Sequence, residues 1–304
     1  MNFIKANKYP IIGASGILSS YLVYRKVFNN SGNELSLDKF NKLELINKEK
    51  VTNNTNIYEF KFKNQSEKIK FDLINSIQFK DNSMQIIRYY TPLPNDTCKW
   101  TKSGFECDKL TFLIKHYQNG PLSTLLEGLK VGGTVEMRGP YTTYDYQPSR
   151  YDKVGCIVGG TGITPIYQLL AHSLKDENDK TKFNILYLNS THDDILLKKE
   201  LNKLQTEHPN RLNIQYQVTN ELPKLINNGE AQNTDIIYGK FTSTTFNEWL
   251  REVYQVNQSN YFLVCGPDGF VKSVSGERLS EYNQGPIDGW LGRLGFGQNE
   301  VFKL

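Results

Sequence analysis

Val154-Gly155-Cys156-Ile157-Val158-Gly159-Gly160-Thr161-Gly162-Ile163-Thr164-Pro165 is the stretch whose reading decides the fold. A short apolar run stops at three glycines. Behind them Thr164 reads as a helix cap and Pro165 as the first helical residue, with apolar positions following at Ile166, Leu169, Leu170 and Leu174. A strand, a glycine turn and a helix together let a dinucleotide phosphate reach free N–H groups at a helix N-terminus. Glycine is expected there because a Cβ would hold the phosphate off the main chain.

The chain on either side of this stretch has two rhythms. From Tyr151 onward strands and helices alternate: strand 154–158, helix 165–175, strand 183–189, helix 194–207, strand 212–218, strand 235–238, helix 243–254 and strand 261–265. That alternation predicts a doubly wound parallel sheet. Upstream lie short runs at 57–62, 71–77, 84–90, 110–117 and 134–138, some alternating apolar and polar residues. They predict a small antiparallel barrel. The boundary falls near Gln147–Arg150, which divides the chain into residues 1–35, a barrel over 36–148 and an α/β domain over 149–304.

Composition narrows the function classes. The 304 residues are 38% hydrophobic and 12% aromatic, enough for packed domains, and the net charge of +4 is spread out. That charge gives no case for nucleic-acid binding. Cys98, Cys107, Cys156 and Cys265 match neither a zinc nor an iron–sulfur spacing, and the first three read as unpaired or buried thiols. Redox chemistry would then come from a dissociable organic cofactor. At the N-terminus an apolar run from Ile11 to Tyr24 is flanked by Lys5, Lys8, Arg25 and Lys26, with no acidic residue before Glu34. The run is shorter than the roughly 20 residues that span a bilayer core. Tyr9, Tyr21 and Tyr24 suit an interface, and snorkelling of Arg25 and Lys26 can lengthen the run. A short membrane anchor is the expectation, with a cleaved targeting segment or a surface helix as the alternative.

Three further motifs carry chemistry. Arg88-Tyr89-Tyr90-Thr91 ends a strand and offers a cation, a flat ring and a hydroxyl. Gly120-Pro121-Leu122-Ser123 opens a second helix, and Cys265-Gly266-Pro267 closes the last apolar strand. In an open parallel sheet ligands gather at the carboxyl ends of strands, so Cys265 should share an edge with the glycine turn.

In this order and spacing the motifs resemble the ferredoxin–NADP reductase superfamily, in its NADH–cytochrome b5 reductase branch, over residues 40–304. The resemblance implies an α+β two-domain flavoreductase: an antiparallel six-stranded FAD-binding barrel, then a doubly wound parallel NAD-binding domain. It implies FAD held by Arg88, Tyr90, Thr91, Ile114, Lys115, Tyr117, Gly120, Leu122 and Ser123. A nicotinamide nucleotide would meet Gly160, Thr161, Gly162, Thr164, Cys265, Gly266 and Pro267. Thr91, Thr164 and Cys265 would border the reacting rings, Cys265 as a positioning group and not a nucleophile. The implied reaction takes hydride from NADH or NADPH and passes single electrons to a haem acceptor. The second strand ends without an arginine for a 2′-phosphate until Arg211, which favours NADH.

The chain also departs from the family pattern. Asn119 stands where the family has a glycine before the Ser123 motif, and Asp268-Gly269-Phe270 replaces prolines or an apolar residue after Cys-Gly-Pro. The tail from Asn283 to Leu304, with the N-terminal run, resembles fungal mitochondrial flavoproteins of cytochrome c import and haem attachment. That finer resemblance implies an inner-membrane anchor and an acceptor, haem or the haem-lyase system, in the intermembrane space. The alternatives are a cytochrome b5 reductase of the outer mitochondrial or endoplasmic-reticulum membrane, and a non-enzymatic flavin-binding haem-assembly factor.

Overall fold

The computed structural model describes residues 35–63, 68–81, 85–222, 235–280 and 283–304. The expected membrane anchor falls on 1–34, outside the described residues. Among the described residues no helix is long and apolar enough to cross a membrane.

The N-terminal half is built on a six-stranded antiparallel sheet. Its strands are β1 (Asn41–Thr52), β2 (Thr55–Lys61), β4 (Asn75–Asp81), β5 (Ile86–Tyr90), β8 (Leu110–Lys115) and β9 (Thr134–Thr142), in the order β5-β4-β9-β1-β2-β8. The two edges of the sheet meet at an isolated bridge between Leu93 and Thr111. Alternating inward residues fill the interior, where Phe79 packs edge-on against Phe60 and Phe112, with ring centroids 5.7 and 4.8 Å apart. Helix α1 (Pro121–Gly128) buries Leu122 and Leu126 against this core.

Two expectations for this half are corrected. The single strand expected over 71–77 is two, separated by a turn at Leu73 and Ile74. Strand β3 (Ile69–Asp72) leaves the main sheet and pairs with β7 (Gly104–Cys107), which also pairs with β6 (Lys99–Trp100). The apolar run hid the break because Leu73 and Ile74 are themselves buried. Cys98 and Cys107, expected as unpaired or buried thiols, form a disulfide. The fold brings the cysteines together by antiparallel pairing, which a C-x8-C spacing does not announce.

The disulfide closes a hairpin that docks on the other half of the molecule. Trp100 packs edge-on against His172, with centroids 5.6 Å apart, and Lys175 lies 4.8 Å over the Trp100 ring. Cys98→Ser should lower the unfolding free energy by about 2–3 kcal/mol through lost chain restriction. A urea midpoint shift of the same size on reduction of the wild type, and none on reduction of the variant, checks this.

The C-terminal half is a six-stranded parallel sheet of β10 (Lys153–Gly159), β11 (Lys182–Asn189), β12 (Leu212–Val218), β13 (Ile236–Tyr238), β14 (Asn260–Cys265) and β15 (Val301–Lys303). The order β13-β12-β11-β10-β14-β15 reverses between β10 and β14, so the crevice at their carboxyl ends is a switch point for ligands. Both faces are covered. Val154, Cys156 and Val158 face the core under helix α2 (Ile163–Ser173), while Ile157 and Val264 face Trp249 and Leu250 of α4 (Ser243–Val253).

Three local expectations shift here. Helix α2 begins at Ile163 with Gly162 as its cap, so Thr164 is not the cap and Pro165 is not the first helical residue. Proline is tolerated at that place because first-turn N–H groups have no helical acceptor. The helix expected over 194–207 is a short 3-10 turn at His192–Asp194, then α3 (Lys198–Glu207). The break is Leu197, whose φ of 57° is left-handed. In the tail, α5 (Asp268–Ser275), α6 (Gly289–Arg293) and β15 were not foreseen.

Candidate functional site

A cavity of about 690 Å³ opens between the halves, lined from the barrel, from the glycine turn and from the end of β14. This volume lies within the range of small-molecule and cofactor sites. Of the residues expected at the two cofactors, all but Gly160 line it. The cavity also takes in residues the sequence reading did not assign, among them Tyr89, Tyr141, Thr142, Asp268, Arg278 and Leu304. Tyr141 and Thr142 were missed because Gly139-Pro140 reads as the end of a strand. In the structure β9 runs through it to Thr142, with a register shift on β4 between Ser76 and Gln78. Arg278, just after the last long helix of the sheet domain, and Leu304, at the end of the tail, carried no local motif.

On the barrel side, β5 presents Arg88 and Tyr90. Tyr90 packs edge-on against Phe79 at 5.0 Å, and burial pushes its phenol up to about 12, against the pull of Arg88. Its hydroxyl therefore stays protonated at neutral pH. Arg88 Nη1 donates to Ile87 O at 2.8 Å, and among the described residues no carboxylate pairs with it. The N-terminus of α1 has no side-chain cap. Ser123 Oγ instead holds the loop before it, accepting from Tyr117 N at 3.2 Å and donating to Gly120 O at 2.9 Å. An unpaired cation beside an uncapped helix N-terminus in one cavity suits a diphosphate, so the residues present fit FAD.

On the other side the folded chain adds reasons of its own for two of the glycines. Gly160 has φ 55° and open space where a Cβ would sit, so its requirement is conformational. At Gly162 a Cβ would fall 2.6 Å from the carbonyl carbon and oxygen of Cys265, so its requirement is packing of one strand end on the next. Thr164 Oγ1 donates to Thr161 O at 3.1 Å and steadies the turn. Burial pushes the Cys265 thiol up to about 12, with Arg278 pulling the other way. A thiol that stays protonated suits positioning and not nucleophilic attack.

Two polar groups join the halves near the cavity. Lys115 Nζ, on β8, meets Asp194 Oδ1 at 2.6 Å, and Asp194 also accepts from Thr191 N and Oγ1 at 3.2 and 2.8 Å. Burial pushes the Asp194 carboxyl up, but the bonds from Lys115 and Thr191 outweigh it and hold the group below the usual carboxylate range. A depressed folded pKa stabilises above the unfolded value, near 4, and that stabilisation is lost as pH falls through the folded value. Melting temperature should therefore fall more steeply below pH ~4 in the wild type than in Asp194→Asn. A pair of pH–Tm profiles checks it. Arg211, the first arginine after the second strand, does not reach the cavity. It donates to the carbonyls of Ser173, Leu174, Asp176 and Thr181.

The Oxidoreductase FAD-binding domain family matches residues 42–146, and the Oxidoreductase NAD-binding domain family matches residues 156–276. Together with the cavity they define a two-domain oxidoreductase that uses FAD and a nicotinamide nucleotide. NADH-cytochrome b5 reductase 2 of Kluyveromyces lactis is 35% identical over 219 residues, covering 72% of this chain and 67% of the relative. The protein of the same name from Saccharomyces cerevisiae is also 35% identical over 219 residues, with the same coverage. The cytochrome b5 reductase domain of Ulva prolifera nitrate reductase superposes with a TM-score of 0.67, covering 90% of this chain and 100% of that one. At 22% identity that likeness speaks for the fold. The chain belongs to the NADH–cytochrome b5 reductase family.

Proposed function

We propose that this protein takes hydride from NADH and passes electrons singly to a haem acceptor in mitochondrial cytochrome c haem attachment, anchored to the inner membrane and facing the intermembrane space. The carrying observation is the shared cavity, with an unpaired cation and an open helix N-terminus on the barrel side and a glycine turn beside Cys265 on the other. FAD, when bound, supplies the conversion between two-electron and one-electron chemistry.

The chain's own residues bind and orient. Arg88 and the amides at the start of α1 would hold the flavin diphosphate, Tyr90 would pack on the ring system, and Thr91 would hydrogen-bond its edge. The turn Gly160-Thr161-Gly162 would receive the nicotinamide nucleotide, with Thr164 and the protonated Cys265 bordering the nicotinamide. The engagement of Arg211 elsewhere supports NADH over NADPH as donor, because it leaves that arginine no reach to a 2′-phosphate.

The Cys98–Cys107 disulfide supports an oxidising compartment such as the intermembrane space. The basic, acid-free N-terminus supports a mitochondrial signal-anchor. A second reading is a cytochrome b5 reductase of the outer mitochondrial or endoplasmic-reticulum membrane; the relatives' names favour its acceptor, cytochrome b5. Purified protein with a yellow flavin spectrum should bleach when NADH is added anaerobically, and failure to bleach sinks the reductase reading. Comparing reoxidation by free haem, cytochrome c and cytochrome b5 then decides the acceptor. A fluorescent reporter fused to residues 1–35 reads the compartment.

A further inference from the structure

The stretch after α5, just before the tail that departs from the family pattern, brings its own cation to the cavity. After α5 the chain turns at Gly276, whose φ of 88° admits glycine, and residues 277–280 and 283–286 lie against β15. Their anchor is Lys303, which is fully buried. Its Nζ donates to the carbonyls of Glu277, Gln284 and Pro286 at 3.0, 2.6 and 2.8 Å. The Gln284 side chain completes the clamp, accepting from Lys303 N at 2.7 Å and donating to Lys303 O at 3.1 Å. Burying an ammonium costs free energy unless its donors are satisfied, and here three carbonyls satisfy them. The clamp fixes the segment that carries Arg278.

Arg278 is half-buried and lines the cavity beside Cys265, Gly266 and Pro267. Its Nε donates to Ser280 O at 3.2 Å, and among the described residues no carboxylate lies within ion-pair distance of its guanidinium. Its charge is close enough to act on the Cys265 thiol. The Cys265–Gly266 backbone in turn touches Gly162. An arginine beside Cys265, at the strand end that packs on the glycine turn, with its fork uncommitted to any carboxylate among the described residues, is suited to bidentate recognition of phosphate oxygens. Arg88 serves the barrel end of the same cavity, so the two cations divide it between two anionic groups.

We infer that Arg278 is a donor-binding residue that clamps the diphosphate of the nicotinamide dinucleotide against the Gly160–Gly162 turn. The inference rests on the reading of this cavity as the NADH site.

The test uses the full-length holoprotein and two hydride donors: NADH, and 1-benzyl-1,4-dihydronicotinamide, which carries no phosphate. Arg278→Ala should raise KM for NADH about 10- to 100-fold, the range for loss of a charge-assisted contact, with flavin content unchanged. The rate with the benzyl donor should not move, and Arg278→Lys should recover part of the NADH affinity. An unchanged KM for NADH overturns the inference, as does an equal loss with both donors, which would make Arg278 only a support for the tail. A defect confined to reoxidation by haem acceptors also overturns it and reassigns Arg278 to the acceptor. Failure of the wild type to bleach with NADH is a different result and removes the reductase reading itself.

Discussion

Asp179→Ala should lower the unfolding free energy by about 3–5 kcal/mol, the range for removing one partner of a buried charge network. Asp179 is 1% exposed, and its carboxylate is where the interdomain connection meets the nucleotide domain. Oδ2 accepts from Tyr146 OH at 2.7 Å and from Ser173 Oγ in a short bond. Oδ1 accepts from the backbone N–H of Ser149 and of Thr181, each at 3.0 Å. Arg211 Nη2 stands 3.8 Å away and also donates to Ser173 O at the end of α2. Alanine would leave these donors buried without their carboxylate acceptor and the Arg211 charge without its counter-ion, and unsatisfied buried groups cost their full desolvation. Asp179→Asn keeps the shape but turns an acceptor into a donor among donors, so it should recover only part of the loss. Burial pushes this carboxyl up, and the hydrogen bonds outweigh that and hold it below the usual range. Its contribution is accordingly present above the unfolded value near 4 and lost on acidification. Urea unfolding at pH 7 and below pH ~4 should show the wild type and Asp179→Asn converging at the acid end. Parallel curves would overturn the assignment.

Gly162→Ala should reduce the rate of NADH-driven bleaching about 100-fold while leaving the yellow flavin bound. The new Cβ would sit 2.6 Å from Cys265 C and O and 2.8 Å from Gly266 N. These are backbone atoms of the neighbouring strand end, so no side-chain rotation relieves the clash. The ends of β10 and β14 would have to part, displacing Thr161 and Thr164 relative to Cys265, the groups proposed to border the donor. A shift on the order of 1 Å is enough to lose two orders of magnitude when reacting groups must be held in register. Gly269→Ala is the control. Nothing lies within 4 Å of a Cβ there, and the position is inside α5, so alanine should be neutral or slightly stabilising. Stopped-flow bleaching of the three proteins at saturating NADH is the measurement. A rate for Gly162→Ala near that of the control would show that the strand ends yield without moving the site.

Much of this molecule is legible in one dimension because its signals are local. The period-two runs and the alternation of strands with helices set the two sheets, since burial on one or two faces imposes those periods directly. The glycine turn, the Arg88 motif and the Ser123 motif stand out for a related reason: a left-handed residue or an uncapped helix start leaves its mark within a few positions. Where the reading erred, the deciding contact was distant or masked. Leu73 and Ile74 looked like strand because a buried turn is as apolar as a strand. The helix over 194–207 concealed a left-handed Leu197, a conformation leucine rarely adopts. The Cys98–Cys107 pairing depends on hairpin register, which spacing alone does not report.

The glycine stretch at 154–165 shows the division most clearly. Read alone, it determined that a strand feeds a helix through a glycine turn, because backbone conformation is a property of the local chain. It also determined the class of protein, once the order of the other motifs was added. The tertiary structure decided why each glycine is needed: Gly160 for its φ, Gly162 because the chain one hundred residues later, at Cys265, packs against it. It decided as well that Lys303 clamps the tail and that Arg278 reaches the cavity. No local pattern could carry that information, since both depend on a parallel strand pairing between β14 and β15 that only the folded sheet creates.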